Sequence, residues 1–159
     1  MADVYIMCGC PGSGKTTWLK DHVKPGSAII SRDTIRFSLL KEGEDYFSHE
    51  EEVTAILWDQ INGVLSDGRD VFVDQTSLNK RSRKWLLDHI TGYDKVNVIW
   101  IDTPLEIALE RNEKRKGTKA YVPRGQVRRM FFSIEPPSFE EGFFRIFRYK
   151  DEKMLMKER

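Results

Sequence analysis

Metal and disulfide chemistry have little to work with in this chain. Its 159 residues include only two cysteines, Cys8 and Cys10, and three histidines, His22, His49 and His89, that lie far apart. No ligand spacing surrounds them, which argues against a structural zinc site and a disulfide framework. The two cysteines are expected as small, reduced residues at the end of a strand and in the loop after it. No run approaches the roughly 18 apolar residues of a membrane span, and no basic segment leads into a long apolar stretch at the N-terminus. No membrane role is expected, and the expected location is the cytoplasm. Net charge is nearly absent too, at +1, so the chain as a whole is not marked as a polyanion binder.

That neutrality hides an asymmetry. Between Arg111 and Arg129 there are eight basic residues against one acid, Glu113. Such a stretch can face a polyanion, the alternative being a solvated helix face. The length fits one domain over 1–159, since compact domains most often run to about 100–150 residues.

What is present most clearly is phosphate chemistry. Gly9-Cys10-Pro11-Gly12-Ser13-Gly14-Lys15-Thr16 fills every fixed position of a G-x-x-x-x-G-K-[ST] loop, and Thr17 follows it. It comes directly after Val4–Cys8, which reads as a buried strand. Glycines permit torsions that turn consecutive N–H groups toward one anion, while a helix starting near Lys15 offers its positive dipole end. Lys15 is expected on the β- and γ-phosphates of ATP or another NTP, and Thr16 in the shell of Mg2+. Gly9, Pro11, Gly12, Ser13, Gly14 and Thr17 complete the expected nucleotide-binding set.

Further apolar runs at Ala28–Ile30, Val71–Val73, Val96–Ile101 and Phe144–Tyr149 alternate with helical patterns up to the fourth run. This predicts an α/β three-layer sandwich around a parallel sheet. A helix is predicted over Ser48–Ser66, with Ser48 and Glu51 as a capping box and Val53, Ile56, Leu57, Ile61, Val64 and Leu65 as its apolar stripe. Another is predicted to start at Thr103, with Pro104 at its first position. Trp18, Trp58, Trp85 and Trp100 are dispersed and read as core or surface fillers, and the tail 151–159 carries little signal. Ligands of open α/β sheets sit beyond the carboxyl ends of the strands. There the sequence puts Ser31-Arg32-Asp33-Thr34-Ile35-Arg36, Asp74-Gln75-Thr76-Ser77 and Asp102-Thr103.

These blocks resemble the polynucleotide 5'-hydroxyl kinases of the P-loop superfamily, particularly the phage and bacterial end-healing type. The resemblance rests on the loop, on Arg32-Asp33-x-x-Arg36, on Asp74-x-Thr76 with Leu78-Asn79, and on Arg111-Asn112-x-x-Arg115 running into Gly117–Pro123. A fifth stretch, Glu135–Phe143, looks like the segment before the family's last strand. Ser77 departs from the family, where Asn is frequent.

The resemblance implies a five-stranded parallel sheet of order 2-3-1-4-5 with a helical lid over about residues 111–123. It implies transfer of the γ-phosphate of ATP to the 5'-hydroxyl end of DNA or RNA, by a kinase standing without phosphatase or ligase modules. Asp33 would be the general base, Lys15 and Arg115 the catalytic cations, and Arg111 a support to Arg115 on the nucleotide. Arg36 would grip the acceptor's 3'-phosphate, with Asp33, Asp74 and Thr76 on the acceptor side. Asp74, with Thr16, would hold the metal directly or through water. The residues leave alternatives open: Asp33 as a helix cap, Arg36 in a salt bridge, and, for the whole chain, a small-molecule kinase or an ATP-binding switch.

Overall fold

The computed structural model describes residues 2–159. Its first strand β1, Ala2–Cys8, is buried on both faces, as strands of a covered parallel sheet are. Val4, Ile6 and Cys8 point into one core, whereas Met7 points into another, with Tyr5 partly buried beside it. The phosphate loop leads from β1 into α1, Lys15–His22. There follow β2 (Ala28–Ser31), α2 (Arg32–Leu39), α3 (Glu50–Ser66), β3 (Val71–Asp74), α4 (Lys80–Asp88) and β4 (Tyr93–Ile101). Then come α5 (Leu105–Glu113), α6 (Arg124–Phe132), a short 3-10 turn at Phe139–Glu141, β5 (Arg145–Lys150) and β6 (Lys153–Glu158).

The strands form one sheet in the order β2-β3-β1-β4-β5-β6. The first five are parallel, in the expected order 2-3-1-4-5. The sixth was not expected: the tail turns back through Asp151 and Glu152, both at positive φ, and pairs antiparallel with β5. Two left-handed residues in succession are what a tight hairpin turn requires. β6 is exposed along its whole length, with Met154, Leu155 and Met156 open. A strand with no buried face is under no pressure to alternate polar and apolar residues, so its sequence has nothing to read.

Helix α3 covers the larger core with Val53, Leu57, Ile61 and Leu65 buried, and Ile56 and Val64 packed at its margin. Each fully buried aliphatic side chain contributes about 1.5–3 kcal/mol relative to exposure. Its expected capping box is absent. The helix begins at Glu50 after His49, and the Ser48 hydroxyl donates instead to the Asp45 carbonyl at 2.7 Å, closing the preceding turn. Three acids, Glu50–Glu52, still sit at the positive end of the dipole. Among the described residues no helix is long and apolar enough to cross a membrane.

Candidate active site

The loop after β1 is shaped by contacts from three directions. Its Gly9 N–H donates to the Thr76 carbonyl beyond β3 at 3.0 Å. The Thr103 hydroxyl, at the end of β4, donates to the Ser13 carbonyl at 2.7 Å, and Arg111 of α5 donates to the same carbonyl at 2.9 Å. Thr103 is thus not the cap expected for α5, which starts at Leu105 after Pro104; its side chain clamps the loop. Gly12, at φ +83°, leaves no room for a Cβ, which would lie 2.4 Å from the Ala108 carbonyl oxygen. Only glycine lets α5 press this closely on a left-handed turn.

A cleft of about 170 Å³ opens above the loop. Pro11, Gly12, Gly14, Lys15, Thr16 and Thr17 line it, while Gly9 and Ser13 are buried behind the lining. The Lys15 ammonium is folded onto the loop, donating to the Gly9 and Cys10 carbonyls at 2.9 and 3.0 Å. Burial pulls its pKa below the ordinary lysine value, against the pull of Asp74. Thr16 Oγ1 donates to Asp74 Oδ2 at 2.7 Å. Burial raises the Asp74 carboxyl above its usual range, with Lys15 and the Thr16 hydroxyl opposing. These hard oxygens suit Mg2+, which is typically held by one or two protein groups plus substrate phosphates. Among the described residues no cluster of three or more His, Cys, Asp or Glu could hold a metal by itself.

Across the cleft stands Asp33, its side chain 42% exposed. The α2 cap is Ser31, whose hydroxyl accepts from the Thr34 N–H at 3.2 Å; Asp33 is therefore not occupied in capping. Its Oδ1 accepts from the Arg36 guanidinium and from the Tyr46 hydroxyl. Burial and the Asp33 carboxylate push the Tyr46 pKa up, so the phenol stays a donor. Oδ2 makes no hydrogen bond among the described residues.

Arg36 takes the salt bridge that the sequence left open as its alternative. Its guanidinium is buried and donates to Glu50 through Nε at 2.8 Å and Nη2 at 3.1 Å, besides Asp33 and Tyr46. Tyr46 also lies against it, 4.1 Å from ring centroid to Cζ. These donors are taken up inside the protein and hold Asp33, while Arg36 also lines the cleft. Arg32 donates to the same Glu50 at 2.8 Å. Burial alone would raise Glu50, but the hydrogen bonds from Arg36 and Arg32 outweigh it and hold the carboxyl below its ordinary value.

The Arg111-Asn112-x-x-Arg115 block divides its work three ways. Arg111 braces the loop and does not line the cleft; Arg115 does line it. Buried Asn112 both donates to the Val122 carbonyl at 2.7 Å and accepts from the Val122 N–H at 3.1 Å, closing the arch between α5 and α6 at its base. Ala120, Val122 and Met130 complete the roof. None of the eight basic residues from Arg111 to Arg129 forms an ion pair among the described residues.

Thr76 and Gln75 line the cleft beside Asp74. The turn beyond them is secured by Arg83, a fully buried guanidinium that donates to Glu141 at 2.7 and 3.1 Å and to the Ser77 carbonyl at 3.0 Å. This explains the Glu135–Phe143 stretch, whose Glu141 is the counter-ion. Glu50, Tyr46, Asn112 and Arg83 were not singled out from the sequence. Of these, only Asn112 lay inside a recognised block. Two of the dispersed tryptophans also meet in space: Trp58 and Trp85 pack edge to face with centroids 5.3 Å apart.

The glycine cradle, lysine, Thr-Asp pair and arched lid on a parallel sheet define a P-loop kinase-type nucleotide-binding domain. The chain belongs to the AAA domain family AAA_33, which it matches over residues 4–137. It is similar to a protein named transcription factor bHLH140 from Arabidopsis thaliana, 26% identical over 153 residues. That match covers 93% of this chain and only 16% of the length of that curated relative.

Among solved structures it resembles a chain of the Pnkp1/Rnl/Hen1 RNA repair complex, with a TM-score of 0.70 and 23% identity over 83% of this chain and 43% of that one. Kti12 from Chaetomium thermophilum in complex with ADP-AlF3 matches with a TM-score of 0.61 and 20% identity, over 86% and 82% of the two chains. A sugar kinase from Janibacter sp. HTCC2649 matches with a TM-score of 0.63 and 19% identity, over 93% and 85%. At these identities the likeness is one of fold.

Proposed function

We propose that this chain is a single catalytic domain that transfers the γ-phosphate of ATP to the 5'-hydroxyl end of DNA or RNA. The observation that carries this reading is a carboxylate with one oxygen fixed and one free, Asp33, facing Lys15 and Arg115 across one cleft. Phosphoryl transfer asks for in-line positioning, charge stabilisation and an acceptor for the hydroxyl proton. Asp33 Oδ2 takes that proton as the 5'-oxygen attacks. Lys15 leaves the loop carbonyls for the β- and γ-phosphate oxygens, and Arg115 reaches the γ-group from the lid. Mg2+ entering with the nucleotide would neutralise charge between the β- and γ-phosphates beside Thr16 and Asp74. The basic stretch from Arg111 to Arg129, which forms no ion pair among the described residues, supports a polyanionic acceptor, as does the fold shared with a chain of an RNA repair complex.

A second reading, a kinase of a small acceptor such as a sugar, is favoured by one observation. The chain covers 85% of the sugar kinase it resembles but 43% of the RNA repair chain. The test is transfer of labelled γ-phosphate from ATP to a panel of 5'-OH oligonucleotides, nucleosides, sugars and small alcohols. Labelling of 5'-OH ends is expected. Labelling of a sugar with none on any oligonucleotide would give the case to the second reading.

A further inference from the structure

Beyond Gln75 and Thr76 the cleft continues into a recess of about 190 Å³ between α3 and α4. Arg32, Gln75 and Thr76 line both spaces, so the recess is an extension of the acceptor side. It holds far more than one water, whose share of liquid volume is about 30 Å³. Its walls are Trp58 and Trp85, with no acidic side chain among the lining residues. Trp58 is immobilised from behind by His89, stacked flat at 3.8 Å. Trp85 stands edge-on to it and is 53% exposed, unusual for the largest apolar side chain.

Three further facts point to the occupant. Ser77 lines the recess and is 3% exposed, yet its hydroxyl has no hydrogen-bond partner. Buried hydroxyls are ordinarily paired with protein, water or ligand, so this one has a bond left to make. The Ser77 backbone is held at φ +43°, with its carbonyl fixed by Arg83, so the hydroxyl is presented by a rigid turn. Finally, Lys80, Arg81 and Lys84 flank Trp85 on α4, and among the described residues only Lys84 is in an ion pair, with Asp88 at 2.7 Å.

We propose that this recess binds a nucleobase of the acceptor strand, on the 3' side of the nucleotide whose 5'-hydroxyl is phosphorylated, by stacking on Trp85 while Ser77 meets its polar edge. The proposal rests on the reading of the acceptor as a nucleic acid. An aromatic face beside a cation is the sequence-tolerant way to hold a single strand, because every base offers a π-face and every linkage a phosphate.

Steady-state kinetics with a nucleoside 3'-monophosphate and with short 5'-OH oligonucleotides of increasing length test it, using wild type, Trp85→Ala and Trp85→Phe. Wild type is expected to gain in KM once the acceptor is long enough to reach Trp85. Trp85→Ala should raise KM for the longer acceptors by about 5- to 150-fold, the worth of one base stack. It should leave the mononucleotide KM and all kcat values unchanged, and Trp85→Phe should recover most of the loss. Equal effects on short and long acceptors would mean that Trp85 only supports the fold, and would overturn the proposal. So would an unchanged KM for every length, or a wild type blind to length whose self-association is altered by Trp85→Ala. Failure of the underlying reading looks different: wild type then phosphorylates no 5'-OH nucleic acid at all, and the proposal falls with it.

Discussion

Removing the Arg36 guanidinium should loosen the fold and the catalytic base together. The side chain is 5% exposed and joins α2 to α3 through Glu50, while also holding Asp33 and touching Tyr46. Taking one partner from a buried ion pair costs about 3–5 kcal/mol, because the other charge is left without compensation. Here the orphaned carboxylates have some escape: Glu50 keeps Arg32 and is 31% exposed, and Asp33 is 42% exposed. Solvent screening at such exposure lowers the expected cost of Arg36→Ala to about 2–3 kcal/mol. For a domain of this size each kcal/mol shifts Tm by about 2–4 °C, so thermal unfolding should fall by about 4–12 °C. Turnover should drop with every acceptor, since Asp33 loses its orienting partner whichever acceptor is present. The refuting result is specific. An unchanged Tm, with a KM that rises only for acceptors carrying a 3'-phosphate, would mean that Arg36 turns out of its network to grip the substrate.

Asp33→Asn keeps an oxygen for Arg36 and Tyr46 but cannot take a proton; a loss of about 10²- to 10⁴-fold in kcat with ATP binding retained is expected, and near-normal turnover would move the base elsewhere. Lys15→Ala and Arg115→Ala should each cost on the order of a hundredfold or more in kcat with the fold intact, and either variant turning over like wild type at saturating ATP and Mg2+ would remove that residue from the mechanism. Glu50 titrates below its ordinary 4.5 in the folded chain, because the hydrogen bonds from Arg36 and Arg32 outweigh burial. The unfolded chain then binds the extra proton first, so this stabilisation is present above 4.5 and is lost as pH falls through the lower folded value. Urea unfolding between pH about 5 and about 3 should show wild type losing more stability than Glu50→Gln; the reverse order would refute the pairing.

The chemistry-bearing loop was legible because its constraints are local. Gly12 and Gly14 both take positive φ, which two glycines within three residues announce by composition alone. The first four parallel strands were legible for a similar reason, each carrying a short apolar run, whereas β5, with two arginines and a lysine, was less clear; the order 2-3-1-4-5 came with the resemblance and holds in the sheet. β6 was not legible, having no buried face to impose a pattern. Both cap positions drifted by one residue where a competing contact existed, Ser48 to Asp45 and Thr103 to Ser13.

The residues by themselves made the chain a nucleotide-binding α/β protein whose loop, Asp33 and Asp74 meet at one edge of a sheet, and the resemblance added Arg115. What those residues are free to do was decided only in three dimensions. Arg36 had to be weighed between substrate and salt bridge until Glu50, fourteen positions on, was seen to take two of its hydrogen bonds. Arg111 and Thr103 converge on one loop carbonyl from 98 and 90 positions away. Trp58 and Trp85 become a pair only because α3 and α4 lie side by side. Periodicity and spacing report which face of an element is buried; they carry no record of which distant side chain will satisfy a given donor, because that partner is chosen by the packing of elements far apart in the chain.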